Sequence, residues 1–164
     1  MPFLLRSIHK GRWHEILGTS PTDDQIRNGP LRDFVPENST LSVWYIEDDR
    51  SNLEQVITAF ASAGDFFSNF DYALVDEALL TTLNIKIEQT DGNTPDQEAN
   101  ARWHRDLVEL SDPKLIALIR AIAEEGETAR IPEKKIARLI QEAVDAGRLD
   151  RTKLKKGLAA KLKV

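Results

Sequence analysis

Residues 41–64 leave the least room for alternative structures. Leu41-Ser42-Val43-Trp44-Tyr45-Ile46 is dense in β-branched and aromatic side chains, the composition of a strand. Asp48-Asp49-Arg50 then turns the chain. Leu53, Val56, Ile57, Phe60 and Ala61 recur at i, i+3, i+4, i+7 and i+8, which is one apolar face of a helix. Ser51, with Glu54 three residues later, has the spacing of a capping box, and Gly64 is placed to end the helix. A strand and an amphipathic helix both need cover, so the expected class is α+β.

The flanking segments extend that expectation. Residues 1–40 are poorly patterned. Phe3, Leu4, Leu5, Ile8, Trp13, Ile16 and Leu17 could line a strand or a helix, and Asn28-Gly29-Pro30 is loop chemistry. Tyr72-Ala73-Leu74-Val75 reads as a short strand or a helix start, and Ile85-Lys86-Ile87-Glu88 alternates as a strand does. Thr94, with Pro95 at the first helical position, opens a helix. Ser111-Asp112-Pro113 opens another, with Leu115, Leu118, Ile119 and Ile122 on one face and Gly126 at its end. Pro132 opens a third, bearing Ile136, Leu139, Ile140, Ala143 and Val144 and closed by Gly147. These spacings predict a small β-sheet with packed helices over residues 1–100. Residues 101–164 are expected to be helical, packed on the first part or extending from it. The sheet is expected to include 41–46 and 85–88, with 72–75 between them.

With 164 residues, 41% hydrophobic and 30% charged, the chain has ordinary globular composition and can bury a core without staples. It contains no cysteine, so it has neither disulfides nor thiolate metal ligands. The start, Met1-Pro2-Phe3-Leu4-Leu5-Arg6, has too short an apolar run for a secretory signal. No stretch approaches the roughly 20 apolar residues of a membrane span. The expected location is the cytoplasm, with no membrane partner.

Charge is divided along the length. Residues 1–126 hold 11 Lys and Arg against 22 Asp and Glu, whereas residues 127–164 hold 11 against 5. The last stretch is the most polarised: Arg148, Arg151, Lys153, Lys155, Lys156, Lys161 and Lys163 face a lone Asp150. Leu154, Leu158 and Leu162 lie at i, i+4 and i+8, so a terminal helix capped by Asp150 would be basic with a narrow apolar stripe. Gly157 would weaken it by roughly 1 kcal/mol relative to Ala. Those seven cations and three leucines are the candidate partner-binding residues. A helix of this kind can stay solvated or fold back on the acidic body, it can enter a protein groove, and its clustered cations can also grip nucleic-acid phosphates. No aromatic residue follows Trp103 to stack on bases.

Two further constellations could carry chemistry. The acids in Tyr45-Ile46-Glu47-Asp48-Asp49-Arg50-Ser51-Asn52-Leu53 resemble the opening of a response-regulator receiver domain, and Phe70-Asp71-Tyr72-Ala73-Leu74-Val75-Asp76 is similar to the strand that ends in its phosphorylated aspartate. The resemblance covers about 36 residues. It would imply a Mg²⁺ site built from Glu47, Asp48, Asp49 and Asp76. Asp49 and Asp76 are separated by room for one helix and a turn, however, where a receiver has a further strand and helix. Acids in such a turn also serve the N-terminus of the following helix. The second constellation is Trp103-His104-Arg105-Asp106. A histidine beside carboxylates can act as a general base, so His104 with Asp106 or Glu109, near His9 or His14, marks where an active site would lie. The alternative is that Trp103 and Leu107, four apart on a helix, pack inward while the polar residues pair at the rim. His9 and His14 are five apart and form no i, i+4 metal pair. No P-loop, dinucleotide-binding glycine pattern or nucleophile elbow is present, and no cofactor is expected. The leading expectation is a non-enzymatic interaction or regulatory accessory protein that binds a protein partner through the basic C-terminal helix. Nucleic-acid association through the same tail is the first alternative. A small enzyme or metal-binding domain centred on His104 or the Glu47/Asp48/Asp49/Asp76 acids is the second.

Overall fold

A computed structural model of the chain describes residues 1–163. Among these residues six strands form one sheet: β1 (Phe3–Ser7), β2 (Leu41–Ile46), β3 (Phe70–Asp76), β4 (Lys86–Gln89), β5 (His104–Val108) and β6 (Glu127–Ile131). Their spatial order is β4-β5-β2-β1-β3-β6, and every neighbouring pair is antiparallel. The helices are α1 (Asp23–Arg27), α2 (Leu53–Ser62), α3 (Ala78–Thr82), α4 (Gln97–Trp103), α5 (Asp112–Glu125), α6 (Glu133–Asp145) and the single turn α7 (Lys156–Ala159). The fold is α+β, and none of its helices is long and apolar enough to cross a membrane.

Alternation along each strand builds two cores, one on each face of the sheet. Leu4 faces one side, with Val43, Val75 and Leu107, under Leu118, Ile119 and Ile122 of α5. Its neighbour Leu5 faces the other side, with Trp44, Ile46 and Leu74, under Val56 and Ile57 of α2 and Ile136 and Ile140 of α6. Fully burying a side chain of this size contributes about 1.5–3 kcal/mol. The two layers are therefore held by the apolar faces read from α2, α5 and α6.

The central strand is the first one. β1 pairs with both β2 and β3, with Leu5 opposite Trp44 on one side and Leu74 on the other. Hence β3 lies beside β1 and β6, not between β2 and β4. The expectation that residues 101–164 are helical also needs correction, because β5 and β6 complete the sheet at opposite ends. Trp103 and Leu107 do not share a helix face. Trp103 ends α4, and Leu107 pairs opposite Leu41 in β5. The start of α2 differs as well. Its cap is Asn52, whose Oδ1 accepts from the Glu47 N–H while its Nδ2 donates to the Tyr45 carbonyl. This ties the end of β2 to the helix start, which a Ser51–Glu54 capping box would not do.

The expected basic helix after Asp150 is broken into a 3₁₀ turn at Arg151–Lys153 and the four residues of α7. The cause is close packing. A Cβ on Gly157 would come 2.7 Å from the Asp65 carbonyl oxygen, so the segment lies against the loop after α2 instead of running free as a helix.

Candidate functional site

The C-terminal leucines point into the protein. Leu154, Leu158 and Leu162 are buried, Leu158 completely, in the core that contains Ile140, Tyr72 and Val56. The apolar stripe expected to meet a partner is thus occupied by the body of the chain. Arg151 is also used internally: its guanidinium donates to the carbonyls of Ala159 (2.9 Å), Leu162 (3.4 Å) and Lys163 (3.4 Å) and closes the last turn. Lys155 stands 3.6 Å from Asp65. Arg148, Lys153, Lys156, Lys161 and Lys163 are exposed, and none of them has an acid within ion-pair distance among the described residues. The structure thus separates the ten expected site residues into three buried leucines, two cations engaged within the chain and five outward cations.

The turn acids are engaged locally. Asp48 pairs with the N-terminal amine at 3.2 Å, Asp49 accepts the Ser51 N–H, and Asp76 accepts the Ala78 N–H. Those hydrogen bonds hold Asp49 below the usual carboxylate pKa. Asp49 follows β2 and Asp76 ends β3, strands that β1 separates, so the two do not meet at adjacent strand ends. Among the described residues no cluster of three or more His, Asp or Glu is arranged to hold a metal ion.

The histidines behave differently. His9 and His104, 95 positions apart in the chain, line one cleft of about 580 Å³ on the sheet face that carries Trp44. The floor crosses four strands, with His104 from β5, Ser42 and Trp44 from β2, Ser7 from β1 and Phe70 from β3. One wall is the end of α2 and the loop after it, including Phe60 and Phe66. The other is the loop at Asn93 and Thr94.

That second wall is fixed by Asn100. Its Oδ1 accepts from the Thr94 N–H and hydroxyl, and its Nδ2 donates to the Thr94 carbonyl. Gly92 lets this loop approach Trp44, because a Cβ there would come 2.7 Å from the indole ring.

His9 follows β1 at the cleft mouth, with its side chain 75% exposed. Its partner Asp33 has a side chain only 1% exposed. Four donors converge on that carboxylate. Oδ1 accepts from His9 Nδ1 (2.7 Å) and Arg12 Nη1 (2.7 Å), and Oδ2 accepts from the His9 N–H (3.0 Å) and Trp13 Nε1 (2.8 Å). Burial pushes the Asp33 pKa up, but the hydrogen bonds from His9, Trp13 and Arg12 together outweigh it and hold the carboxyl below its usual value. An ionised carboxylate can only accept, so His9 Nδ1 must carry the proton. In the neutral ring Nε2 is then an unprotonated acceptor. The 3.2 Å approach of Arg12 Nη1 to His9 Nδ1 is accordingly a contact and not a hydrogen bond.

His104 is buried, with Nδ1 2.8 Å from the Thr90 hydroxyl and its ring edge-on to Trp44 at 5.0 Å. Burial lowers its pKa, and the nearby Asp106 charge offsets this only in part, so the ring is neutral near pH 7. Asp106 instead accepts from Ser42 Oγ at 3.3 Å, and Glu109 lies in a left-handed turn 4.0 Å from Lys86. His14 is exposed and does not line the cleft.

Sequence reasoning singled out His104 and His9 but missed Asp33. Nothing local marks Asp33, because its partners lie 20 to 24 positions away in the turns after β1.

The cleft therefore offers an imidazole oriented by a buried carboxylate, the neutral imidazole of His104, hydroxyls, carboxamides and exposed phenyl groups. No protein-family model, curated protein or solved structure matches this chain.

Proposed function

We propose that the protein binds a small ligand in the cleft between the α2 loop and the Asn93–Thr94 loop, with His9 as proton acceptor toward that ligand. The observation that supports this most is the His9–Asp33 pair at the mouth of a cleft that His104 enters from the other side. A concave pocket of this size, in which apolar side chains and convergent polar groups share the lining, suits a small-molecule ligand. A base must be oriented before its pKa matters, and Asp33 orients His9. In this reading the chain is a small cytoplasmic ligand-binding protein capable of proton-transfer chemistry. A thermal-shift screen of small polar compounds on wild type and on Thr94→Trp, which fills the cleft, is the test. Compounds that stabilise only wild type are expected, since binding to the native state raises its apparent stability. If every stabilising compound acts equally on both proteins, the cleft is not the site.

A second reading is supported by the outward cations. Arg148, Lys153, Lys156, Lys161 and Lys163 stand on a segment anchored by buried leucines, so the anchoring leaves their charges free for an anionic protein partner or for nucleic acid. The protein would then be a regulatory accessory subunit, and its contact would be electrostatic without the leucine stripe. Capture of an anionic partner should weaken steeply between about 50 and 200 mM salt. Unchanged capture after Lys156→Glu and Lys161→Glu would remove this reading.

A further inference from the structure

The lining of the cleft is selective about charge. Among the described residues no lysine or arginine lines it, and Asp71 is the one acid that does. Both Asp71 oxygens are taken: Oδ1 accepts from Arg130 Nε at 2.7 Å, and Oδ2 accepts from Arg130 Nη2 at 3.0 Å and the Lys10 N–H at 3.2 Å. An ionised ligand would lose water here and meet no lysine, arginine or unpaired carboxylate to offset its charge, which is costly. A purely hydrocarbon ligand would leave the polar lining without partners. Ser7, Ser68 and Asn93 make no side-chain hydrogen bond among the described residues, and Asn69 uses its Oδ1 on the Glu133 N–H, which leaves Nδ2 to donate. His104 is 8% exposed and lines the cleft, and among the described residues its one side-chain hydrogen bond is at Nδ1, which leaves Nε2 to pair with a ligand.

The apolar part of the lining is aromatic. Phe66 is 64% exposed, and Phe60, whose ring lies edge-on to Phe70 at 5.2 Å, is 37% exposed. An exposed phenyl ring beside convergent donors and acceptors suits a planar ligand with a π-face and a hydrogen-bonding edge. We infer that the ligand is an uncharged heteroaromatic compound of the nucleoside class, with its ring against Phe66 and its polar edge toward Asn93, Ser7 and His104. This rests on the cleft being a ligand site and adds the class of ligand.

The test is a titration of ¹⁵N-labelled full-length protein, followed by amide shifts, with adenosine, adenosine 5′-monophosphate, inorganic phosphate and maltose. Adenosine is expected to shift the amides of Phe66, Asn93 and His104 saturably and at least tenfold more tightly than its 5′-phosphate, with no response to phosphate. Phe66→Ala, a change at an exposed ring, is expected to weaken adenosine about tenfold. Equal or tighter binding of the 5′-phosphate would overturn the charge argument. Binding of maltose in the cleft, with no response to adenosine, would overturn the nucleoside class while leaving the cleft as a ligand site. If none of the four binds and the thermal-shift screen also yields no cleft-dependent compound, both inferences fall.

Discussion

Replacing Asp33 by Asn should cost more stability than its position in a loop suggests, and the cost should depend on pH in a defined direction. The carboxylate accepts four hydrogen bonds from three residues while almost completely buried. Asparagine has one oxygen to offer, which can serve two of the four donors, and it turns an NH₂ toward the other two. Each buried donor left unpaired costs about 1–3 kcal/mol, and removing one partner of a buried charge pair costs about 3–5 kcal/mol. Arg12, with a third of its side chain exposed, recovers some water, so the lower part of that range applies, about 3 kcal/mol. That is a large fraction of the 5–15 kcal/mol typical of a domain. Because the folded state holds Asp33 below its ordinary pKa, the native protein binds this proton less readily than the unfolded chain. Its stabilisation is complete above the unfolded value near 3.9 and is lost as pH falls through the lower folded value. Urea unfolding followed by tryptophan fluorescence should therefore show a constant gap between wild type and Asp33→Asn from pH 5 to 8, narrowing below about pH 4. A gap under about 1 kcal/mol at pH 7, or one that widens in acid, would refute the reasoning.

Other outcomes follow from the same contacts. Leu158→Ala, at a completely buried position, should lose about 2–5 kcal/mol in chemical denaturation, whereas Lys156→Glu and Lys161→Glu should stay within about 0.5 kcal/mol; equal effects would mean that the segment is not docked as described. Gly157→Ala should lower the melting temperature although Ala is the better helix former by about 1 kcal/mol, because its methyl group would meet the Asp65 carbonyl; a rise would show that the contact yields easily. His104, disfavoured in its charged form by burial, should titrate below its ordinary pKa in a proton NMR titration. The stabilisation linked to it is full above the unfolded value near 6.5 and is lost as pH falls through the folded one, so the urea midpoint of wild type should drop below about pH 6.5 relative to that of His104→Asn.

How much of this was legible in the sequence differs from element to element. The strand at 41–46 and the helices opened by Ser111 and Pro132 could be read directly, because propensity, apolar period and terminal residues agree there. β6, with the sequence Glu127-Thr128-Ala129-Arg130-Ile131, has no such agreement and is a strand because it pairs with β3, from Phe70 opposite Ile131 to Leu74 opposite Glu127. β5 was hidden in the same way, since His104, Arg105 and Asp106 look like the polar side of a helix until Leu41 and Leu107 are seen to pair. The spacing of Leu154, Leu158 and Leu162 correctly marked one apolar side. Whether that side meets a partner or the chain itself is a tertiary fact, decided by Gly157 fitting against the Asp65 carbonyl. In the cleft the histidines could be picked out by type, but Asp33 could not. Its role exists only once the turns after β1 bring His9, Arg12 and Trp13 to the 3₁₀ turn at Pro30–Asp33.

Asp33 holds the His9 ring at the cleft mouth through a hydrogen bond that fixes its Nδ1 proton. A long-range proton–nitrogen correlation spectrum of the histidine side chains at pH 8 reads this directly. The neutral His9 ring is expected to carry its proton on Nδ1, with Nε2 showing the shift of an unprotonated nitrogen, and the pattern is expected to change in Asp33→Asn. A His9 ring averaging freely between tautomers, or protonated at Nε2, would contradict it.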